Sequence, residues 1–350
     1  MLKQSFVVSA VVGLSALPCI VAAADVLTAV STSTPPTIDG SVDDAWDAAT
    51  PLNVALNKLP YQPSNGYEGA QSSEATLRAL HDEENFYLLV QYQDPTESLE
   101  RMPWVKQEDG SWKQLSNKDS TGHENTYYED KFAVLWNINT AGFEKKGCDA
   151  ACHIADNGMV NGIADTSPGR KFTSAPGQTI DMWHWKSVRT GPVDQLDDQY
   201  IDSTADPEAN SNWGRKGDHK TGGGYSNNVS EDKTQPAFMA EGESAGGYWL
   251  LDQNKTAFVD NFDAGDTVPS IVVSPFAGSR GDVQAVASWA DGVWTIEMQR
   301  PLVTSEEMAN EQDVQFDDLE QSYPFGISVF DNSQINHLYH EGVLTLEFDN

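Results

Sequence analysis

The stretch Ala75–Asp94, ATLRALHDEENFYLLVQYQD, decides the fold class of this chain. Apolar and polar residues alternate from Thr76 to Leu80, the polar residues 82–85 form a turn signal, and Phe86–Tyr92 returns with aromatic and β-branched residues. This pattern is typical of a β-hairpin, because successive side chains of a strand point to opposite faces. The segment therefore predicts two antiparallel strands.

Further segments of the chain repeat this pattern, and no run of comparable length has helical periodicity. We therefore predict an all-β fold, an antiparallel β-sandwich with a long irregular insertion at residues 137–247. We expect the strands on either side of the insertion to pair with each other. The additional predicted strands are short and bounded by Gly, Asp, Asn or Pro: Phe132–Trp136, Tyr248–Leu251, Ser270–Val273, Val293–Met298 and Phe325–Phe330.

The N-terminus has the pattern of an export signal. Lys3 supplies a positive start, Phe6–Leu17 is a short apolar run, and Ala22–Ala24 offers a small-residue cleavage site. We therefore expect residues 1–24 to be removed and residues 25–350 to form a single domain. No second apolar segment reaches the roughly 20 residues needed to cross a bilayer. The sequence predicts an exported, periplasmic and soluble protein.

The charge balance limits the partners of this protein. The chain has 21 Lys and Arg residues against 53 Asp and Glu residues, and its formal net charge is −32. Such a charge repels nucleic acids and anionic membrane surfaces, so we expect neither as a partner. It would steer the protein towards a basic redox partner.

The run Cys148–His153, CDAACH, carries the clearest chemical signal. Two cysteines followed at once by a histidine are typical of covalent haem attachment, in which both thiols form thioethers and the histidine ligates the iron. This run has three residues between the cysteines, whereas the usual motif has two. The alternative is a local disulfide beside a surface histidine, which an oxidising compartment would permit. A structural zinc site lacks a second cysteine pair.

A second haem ligand has several candidates. Met159 follows the motif and offers a thioether, although a methionine is more often a packing residue. In an extended segment Met182, His184 and Lys186 share one face, while Trp183 and Trp185 share the other. We take His184 as the first choice, and the alternative is a hydrogen-bonded core histidine.

Cationic residues are scarce enough to be informative. Lys186, Arg189 and Arg170 are candidates to pair with haem propionates. The alternative is that they balance neighbouring carboxylates. His337 and His340 could cap the pocket or bind a metal, but we interpret both first as surface or packing residues.

Several segments together resemble those of a known family: Thr37–Gly40 with Asp43, Asp44 and Trp46, then Gly147–His153, Asp181–Pro192 and Phe330–Asn332. The family that they resemble is the ethylbenzene-dehydrogenase-related haem-binding domain of cytochrome c and dimethyl-sulfoxide-reductase-like proteins. The resemblance implies a β-sandwich that holds one haem. Its best-known relatives are electron-transfer subunits of periplasmic molybdenum enzymes, which hold a non-covalent haem by a methionine and a lysine. Met159 and Lys186 keep that pair open here, while the Cys148–His153 run resembles a covalent variant.

These observations predict a periplasmic mono-haem electron-transfer protein rather than a catalyst. A c-type haem is favoured and a b-type haem is the alternative, and the expected partner is a redox protein, with a molybdenum oxidoreductase as one candidate. An enzyme with an open iron position is a further alternative. A carbohydrate-binding-like β-sandwich without haem is the other, because the Ile38–Gly40 opening and exposed tryptophans would suit it. That alternative leaves the cysteines and His153 unexplained.

Overall fold

The computed structural model describes residues 25–155, 157–165, 169–242, 244–306 and 308–349. The predicted export signal lies outside the described residues and remains a prediction. The α-helices are α1 Phe143–Lys146 and α2 Ala309–Gln312, and 3-10 helices span Asp44–Ala48, Gly147–Ala150, Gly191–Val193, Asp252–Asn254 and Ser279–Gly281. The strands are β1 Val26–Ser31, β2 Leu52–Leu56, β3 Ser73–His81, β4 Asn85–Gln93, β5 Trp104–Lys106, β6 Trp112–Gln114, β7 Lys131–Asn137, β8 Cys152–His153, β9 Met159–Val160, β10 Ile163–Ala164, β11 Arg170–Lys171, β12 Ile180–Lys186, β13 Asp197–Ile201, β14 Arg215–Gly217, β15 Gly222–Asn227, β16 Phe238–Ala240, β17 Leu250–Leu251, β18 Lys255–Ala257, β19 Thr267–Val268, β20 Ile271–Ala277, β21 Gln284–Ala290, β22 Val293–Pro301, β23 Tyr323–Phe330, β24 Leu338–Tyr339 and β25 Leu344–Phe348.

The structure confirms the predicted hairpin and the all-β fold class. Strands β3 and β4 pair in antiparallel register from Ala75–Tyr92 to His81–Phe86. Asp82 closes the turn, because its Oδ1 accepts hydrogen bonds from the backbone N–H groups of Glu84 (2.8 Å) and Asn85 (2.7 Å). This use of an aspartate side chain is a common way to fix a tight turn.

One large curled sheet organises the described residues. Its 13 strands follow the order β14-β13-β12-β7-β23-β25-β1-β3-β4-β22-β21, with β2 on β3 and β24 on β23. The sheet curls far enough for its two ends to approach each other, since Gln195 near β13 forms a bridge with Gln284 of β21. The enclosed face holds the main apolar core, which includes residues of β3, β4, β7, β12, β22 and β23.

Two expectations about strand pairing are wrong. The sheet is mixed rather than purely antiparallel, because β1 lies between β25 and β3 and is parallel to both. Strand β7 pairs with β12 and β23, whereas Leu250 and Leu251 pair with β20. The physical reason is that the supposed insertion contains β12 and β13, two buried strands that complete the sheet beside β7.

A buried carboxylate fixes the N-terminal segment against the sheet. Trp46 Nε1 donates to Oε1 of Glu297 at 2.7 Å, and the backbone N–H groups of Gly40 and Asp39 donate to Oε2 at 2.7 and 3.0 Å. Asp43 in turn accepts from the N–H groups of Thr37 and Ala45, both at 2.9 Å. The Ile-Asp-Gly opening and its tryptophan therefore have a structural role.

We expect Glu297→Ala to lower the free energy of unfolding by about 3 kcal/mol, because it removes the acceptor of three hydrogen bonds in the interior. Gln299→Ala, at a half-buried position on the same face of β22, should change it by less than about 1 kcal/mol. Urea denaturation of the two variants and the parent measures both values. Equal losses in the two variants would contradict the role assigned to Glu297.

Candidate functional site

A cleft of about 700 Å³ opens over the outer face of β7, β12, β13 and β14. Its lining contains no Asp or Glu among the described residues, although acidic residues dominate the chain. A positively charged cavity in an acidic protein indicates a site for an anionic ligand. Nine cations line it: Arg101, Lys131, Arg170, Lys171, Lys186, Arg189, Arg215, Lys216 and Arg280.

Strand β12 supplies the floor of this cleft. Its alternation brings Met182, His184 and Lys186 to the cleft, while Trp183 and Trp185 enter the main core. The structure thus confirms the two faces predicted from the sequence. All seven residues of the strand are buried, and β13 and β7 pair with its two edges.

Two buried carboxylates hold the central cations from behind. Asp197 forms ion pairs with Lys186 and with Arg280, whose Nε lies 2.6 Å from Oδ1. Glu129 pairs with Arg189 and also accepts from the backbone N–H of that residue at 3.0 Å. Arg101 Nε lies 3.9 Å from the same carboxylate. These pairs fix the direction of the guanidinium and ammonium groups at the cleft.

The electrostatics of these carboxylates follow from their partners. Burial alone would raise the pKa of Asp197, but Lys186 and Arg280 outweigh it and hold the pKa well below its usual range. Burial likewise opposes ionisation of Glu129, and the charges of Arg189 and Arg101 still lower its pKa. The carboxylates therefore remain ionised at neutral pH.

The cleft keeps a surplus of positive charge. The ion pairs between described residues match the nine cations with four carboxylates, Glu129, Asp165, Asp197 and Asp202, which leaves five positive charges. Lys131 has no carboxylate partner among these ion pairs, and its Nζ donates to the carbonyl of Gln334 at 2.8 Å and lies 4.0 Å from the ring centre of Phe330. Burial and Arg189 lower the pKa of Lys131 well below its ordinary value.

His184 is the buried imidazole of the cleft floor. Its residue is 4% exposed, and neither Nδ1 nor Nε2 has a hydrogen-bond partner. Burial and the nearby charges of Lys186, Lys131, Arg215 and Arg189 hold its pKa well below the ordinary value. The ring is therefore neutral at pH 7, and a neutral imidazole is the form that ligates a metal.

The two cysteines of the CDAACH run occupy different surroundings. Cys152 lines the cleft beside Gly169, where an added Cβ would lie 3.1 Å from its Sγ. Cys148 packs instead with an apolar cluster and contacts β23, where a Cβ at Gly326 would lie 2.5 Å from its Sγ. Burial raises the pKa of Cys148 to about 12. The two thiols are free, and one of them adjoins the cleft.

Two predicted iron ligands lie away from the cleft lining. The ring of His153 stacks on Phe172 with centroids 3.7 Å apart, and its Nε2 donates to the carbonyl of Phe172 at 3.0 Å. Met159, on β9, is 42% exposed. Neither residue is part of the cleft lining, and their roles as iron ligands stay predictions.

The structure brings together more residues than the sequence indicated. Of the predicted site residues, Cys152, His184, Lys186 and Arg189 line the cleft, as do Arg170 and His337. His340 lies near Cys148, behind β23. Six further cations of the lining were not predicted from the sequence, where the scarcity of Lys and Arg residues was the one signal for them: Arg101, Lys131, Lys171, Arg215, Lys216 and Arg280.

No helix among the described residues has both the length and the apolar character required to cross a membrane. A comparison with curated protein sequences gives no significant match. The fold and its basic cleft define an all-β protein with a site for an anionic ligand. The sequence model of ethylbenzene dehydrogenase matches residues 43–342, and the chain therefore belongs to the ethylbenzene dehydrogenase family.

Two solved structures illustrate the similarity of this chain to known proteins. A family 9 carbohydrate-binding module from Caldicellulosiruptor kristjanssonii in complex with cellotriose is 10% identical, with a TM-score of 0.32, over 93% of this chain and 95% of the module. A putative carbohydrate-binding protein from Bacteroides uniformis is 9% identical, with a TM-score of 0.33, over 93% of this chain and 99% of that protein.

We expect Asp197→Asn to lower the free energy of unfolding at pH 7 by about 3 kcal/mol or more, because it leaves Lys186 and Arg280 without their buried partner. Asp202→Asn is the matched control, since its pair with Lys216 is partly exposed and should contribute less than about 1 kcal/mol. Urea denaturation measures both losses. Equal losses would show that the Asp197 pairs do not organise the cleft.

The same pairs determine a pH dependence. The folded-state pKa of Asp197 lies below that of the unfolded chain, so its contribution is complete above the unfolded value of about 3.9 and is lost as the pH falls below it. The difference in stability between parent and Asp197→Asn should therefore shrink between about pH 5 and pH 3. A constant difference would contradict the ionic origin of the effect.

Proposed function

We propose that this chain is a haem-binding electron-transfer protein that holds the haem in the basic cleft, with His184 as an iron ligand. The observation that carries this proposal is the state of His184, an almost fully buried imidazole whose two ring nitrogens lack a partner. A buried polar group without a partner costs about 1–3 kcal/mol. Coordination of a metal would offset that cost.

The dimensions and charge of the cleft fit the same ligand. Its volume of about 700 Å³ lies within the range of cofactor sites. Haem carries two propionates, and the surplus cations of the cleft, among them Lys171 and Arg215, supply partners for carboxylates. Asp197 and Glu129 hold the neighbouring cations in fixed positions before any ligand enters.

The positions of the cysteines favour a non-covalent haem. Double attachment needs both thiols at the porphyrin edge, and Cys148 lies in an apolar cluster rather than in the cleft lining. The methionine–lysine ligand pair of the resemblance has little support here, because Lys186 is paired with Asp197 and Met159 lies elsewhere. A haem held by His184 without thioether bonds is the form that we propose.

A haem with a ligated iron supplies one-electron transfer, and the protein around it selects the partner. Nine of the chain's 21 Lys and Arg residues line the cleft, so the rest of the chain is still more acidic than the average. We propose that this acidic exterior docks a basic redox protein and that the chain acts after export. A molybdenum oxidoreductase is a candidate partner because of the family relationship.

Carbohydrate binding remains the alternative. The exposed tryptophans that the sequence suggested for it are not found among the described residues. Sugar-binding sites stack sugar rings on exposed aromatic side chains; none of the ten tryptophans of this chain is exposed, although Tyr248 is 52% exposed. Eight are buried, and Trp249 and Trp289 are half-buried. Calorimetric binding of cellotriose by the haem-free protein would nevertheless support that alternative.

We expect the haem-free parent to bind haemin in a 1:1 complex with a Soret band shifted from that of free haemin. His184→Ala should weaken binding at least tenfold and change the ligand-sensitive part of the spectrum, because it removes the iron ligand. An absorbance titration measures both. His153→Ala is the matched control and should bind as the parent does.

Added imidazole provides an independent readout for His184. It should restore a parent-like spectrum in His184→Ala, since the free ring can occupy the space left by the side chain. A parent without a specific Soret band, or a His184→Ala variant with parent-like affinity and spectrum, would rule out the proposed site.

We also expect electron transfer from the reduced holoprotein to a small basic cytochrome to slow about tenfold or more between low and high ionic strength, because salt screens the attraction between opposite charges. Stopped-flow absorbance gives the rate. A rate that does not depend on salt would exclude docking through the acidic exterior.

A further inference from the structure

A cluster of buried carboxylates lies behind the cleft, on the opposite face of the same strands. Gln199 of β13 faces the cleft, and the next residue towards the N-terminus, Asp198, points to the other side. Asp198, Asp218 and Asp313 bring one carboxylate oxygen each within 4.8 Å of one another. Asp218 follows β14 and Asp313 follows α2, so three separate segments meet at this point.

Two further carboxylates border the cluster. Asp181 of β12 is fully buried, and Asp198 is among the groups that act on its carboxyl group. Asp282 adds a charge that acts on both Asp198 and Asp218. Asp181 and Asp282 belong to other segments than the first three aspartates, so five acidic side chains converge from five places in the chain.

The carboxylate oxygens at this point lack donors. Six of them are buried without a hydrogen-bond partner: Asp181 Oδ1, Asp198 Oδ2, Asp218 Oδ1 and Oδ2, Asp282 Oδ1 and Asp313 Oδ1. The fully buried Asp181 is an independent sign of a ligand. Its Oδ2 accepts a hydrogen bond from the N–H of Val314 at 2.9 Å, whereas its Oδ1 has no hydrogen-bond partner. Buried charges without partners are among the costliest arrangements in a protein.

The negative charge of these five carboxyl groups also calls for a positive partner. Arg300 is the one Lys or Arg side chain that forms a salt bridge with these five carboxylates in the described part of the chain; its Nη1 lies 3.4 Å from Asp181 Oδ2. If all five carboxyl groups were ionised, they and the guanidinium of Arg300 would leave four negative charges, of which a divalent cation would offset two and bound protons the other two. The cluster therefore needs bound protons, a bound cation or both.

A second buried trio, called the satisfied trio here because protein donors reach most of its oxygens, leaves Asp94 Oδ2 without a hydrogen-bond partner. Asp130, Asp331 and Asp94 also lie within coordinating distance of one another. There, Asp130 accepts from Ser98 N, Asn332 N and Trp294 Nε1, and Asp331 accepts from Ala70 N. Protein donors therefore bind most carboxylate oxygens of that trio, whereas six carboxylate oxygens around Asp218 have no hydrogen-bond partner.

We propose that Asp198, Asp218 and Asp313, with Asp181 and Asp282 beside them, bind one calcium ion. All candidate donors are carboxylate oxygens, which suit a hard divalent cation rather than a soft transition metal. Asp198, Asp218 and Asp313 supply one oxygen each at mutual distances of no more than 4.8 Å, and the remaining ligands of the 6–8 that calcium takes at about 2.3–2.6 Å would come from the neighbouring carboxylates and from water. A span of 4.8 Å is about twice that bond length.

The ion would have a clear structural consequence. It joins β13, the end of β14, and the segment after α2, and β13 and β14 form part of the cleft floor. Calcium therefore stabilises the edge of the sheet from behind, at a site that is independent of haem.

The test compares the purified haem-free chain in calcium and in EGTA. We expect calcium at roughly 100 times its dissociation constant to raise the thermal unfolding midpoint by about 5 °C. Terbium in place of calcium should give luminescence on tryptophan excitation, because Trp183 pairs with Asp198 across the strands, and calcium should quench it by displacement. An identical midpoint in calcium and EGTA, without sensitised terbium luminescence, would overturn the proposal and leave protons as the balancing charge.

Substitutions locate the ion. Asp218→Asn should abolish the calcium-dependent shift yet melt no lower than the parent in EGTA, because it removes one repelling charge; Asp313→Asn is a second variant with the same expectation. Asp94→Asn, in the satisfied trio, is the matched control and should keep the full shift. A shift that survives in Asp218→Asn and Asp313→Asn but disappears in Asp94→Asn would move the site and contradict the assignment.

Discussion

The ion pairs of Asp197 and Glu129 are the constraint on which the cleft depends. Positive charges repel one another. A cavity lined by nine cationic side chains can therefore form only if carboxylates outside the lining form ion pairs with the central ones. Asp197 fixes Lys186 and Arg280, and Glu129 fixes Arg189. Both carboxylates lie outside the lining, so the charge that reaches a ligand is positive.

The alternation of strands β12 and β13 extends this arrangement through the sheet. His184 and Lys186 face the cleft, while Asp181 and Asp198 face the interior on the other side. The sheet therefore separates the cationic cleft on one face from a local carboxylate cluster on the other, and each of the two has buried polar atoms without hydrogen-bond partners. His184 lacks a partner on one face and Asp218 on the other, and the two proposed ligands, an anionic haem and a calcium ion, differ in the same way.

Much of the fold could be predicted from the sequence, because strand alternation is a local property. The hairpin of β3 and β4, the other strong strands and the two faces of β12 follow directly from their patterns. The pairing of β7 with β12, the parallel position of β1 and the meeting of Asp198 with Asp218 and Asp313 depend on contacts between distant segments. Local signals carry no information about such contacts. For the same reason Cys148 and Cys152 looked equivalent in sequence, although they have different surroundings.

The most direct test of the central claim is the absorption spectrum of the protein purified after export, oxidised and reduced, followed by acid-acetone extraction. We expect a Soret band that sharpens on reduction and a haem that acid-acetone removes, since His184 and the surplus cations hold it without thioether bonds. A colourless protein, produced under conditions that load other exported haem proteins, would contradict the claim that the basic cleft is a haem site.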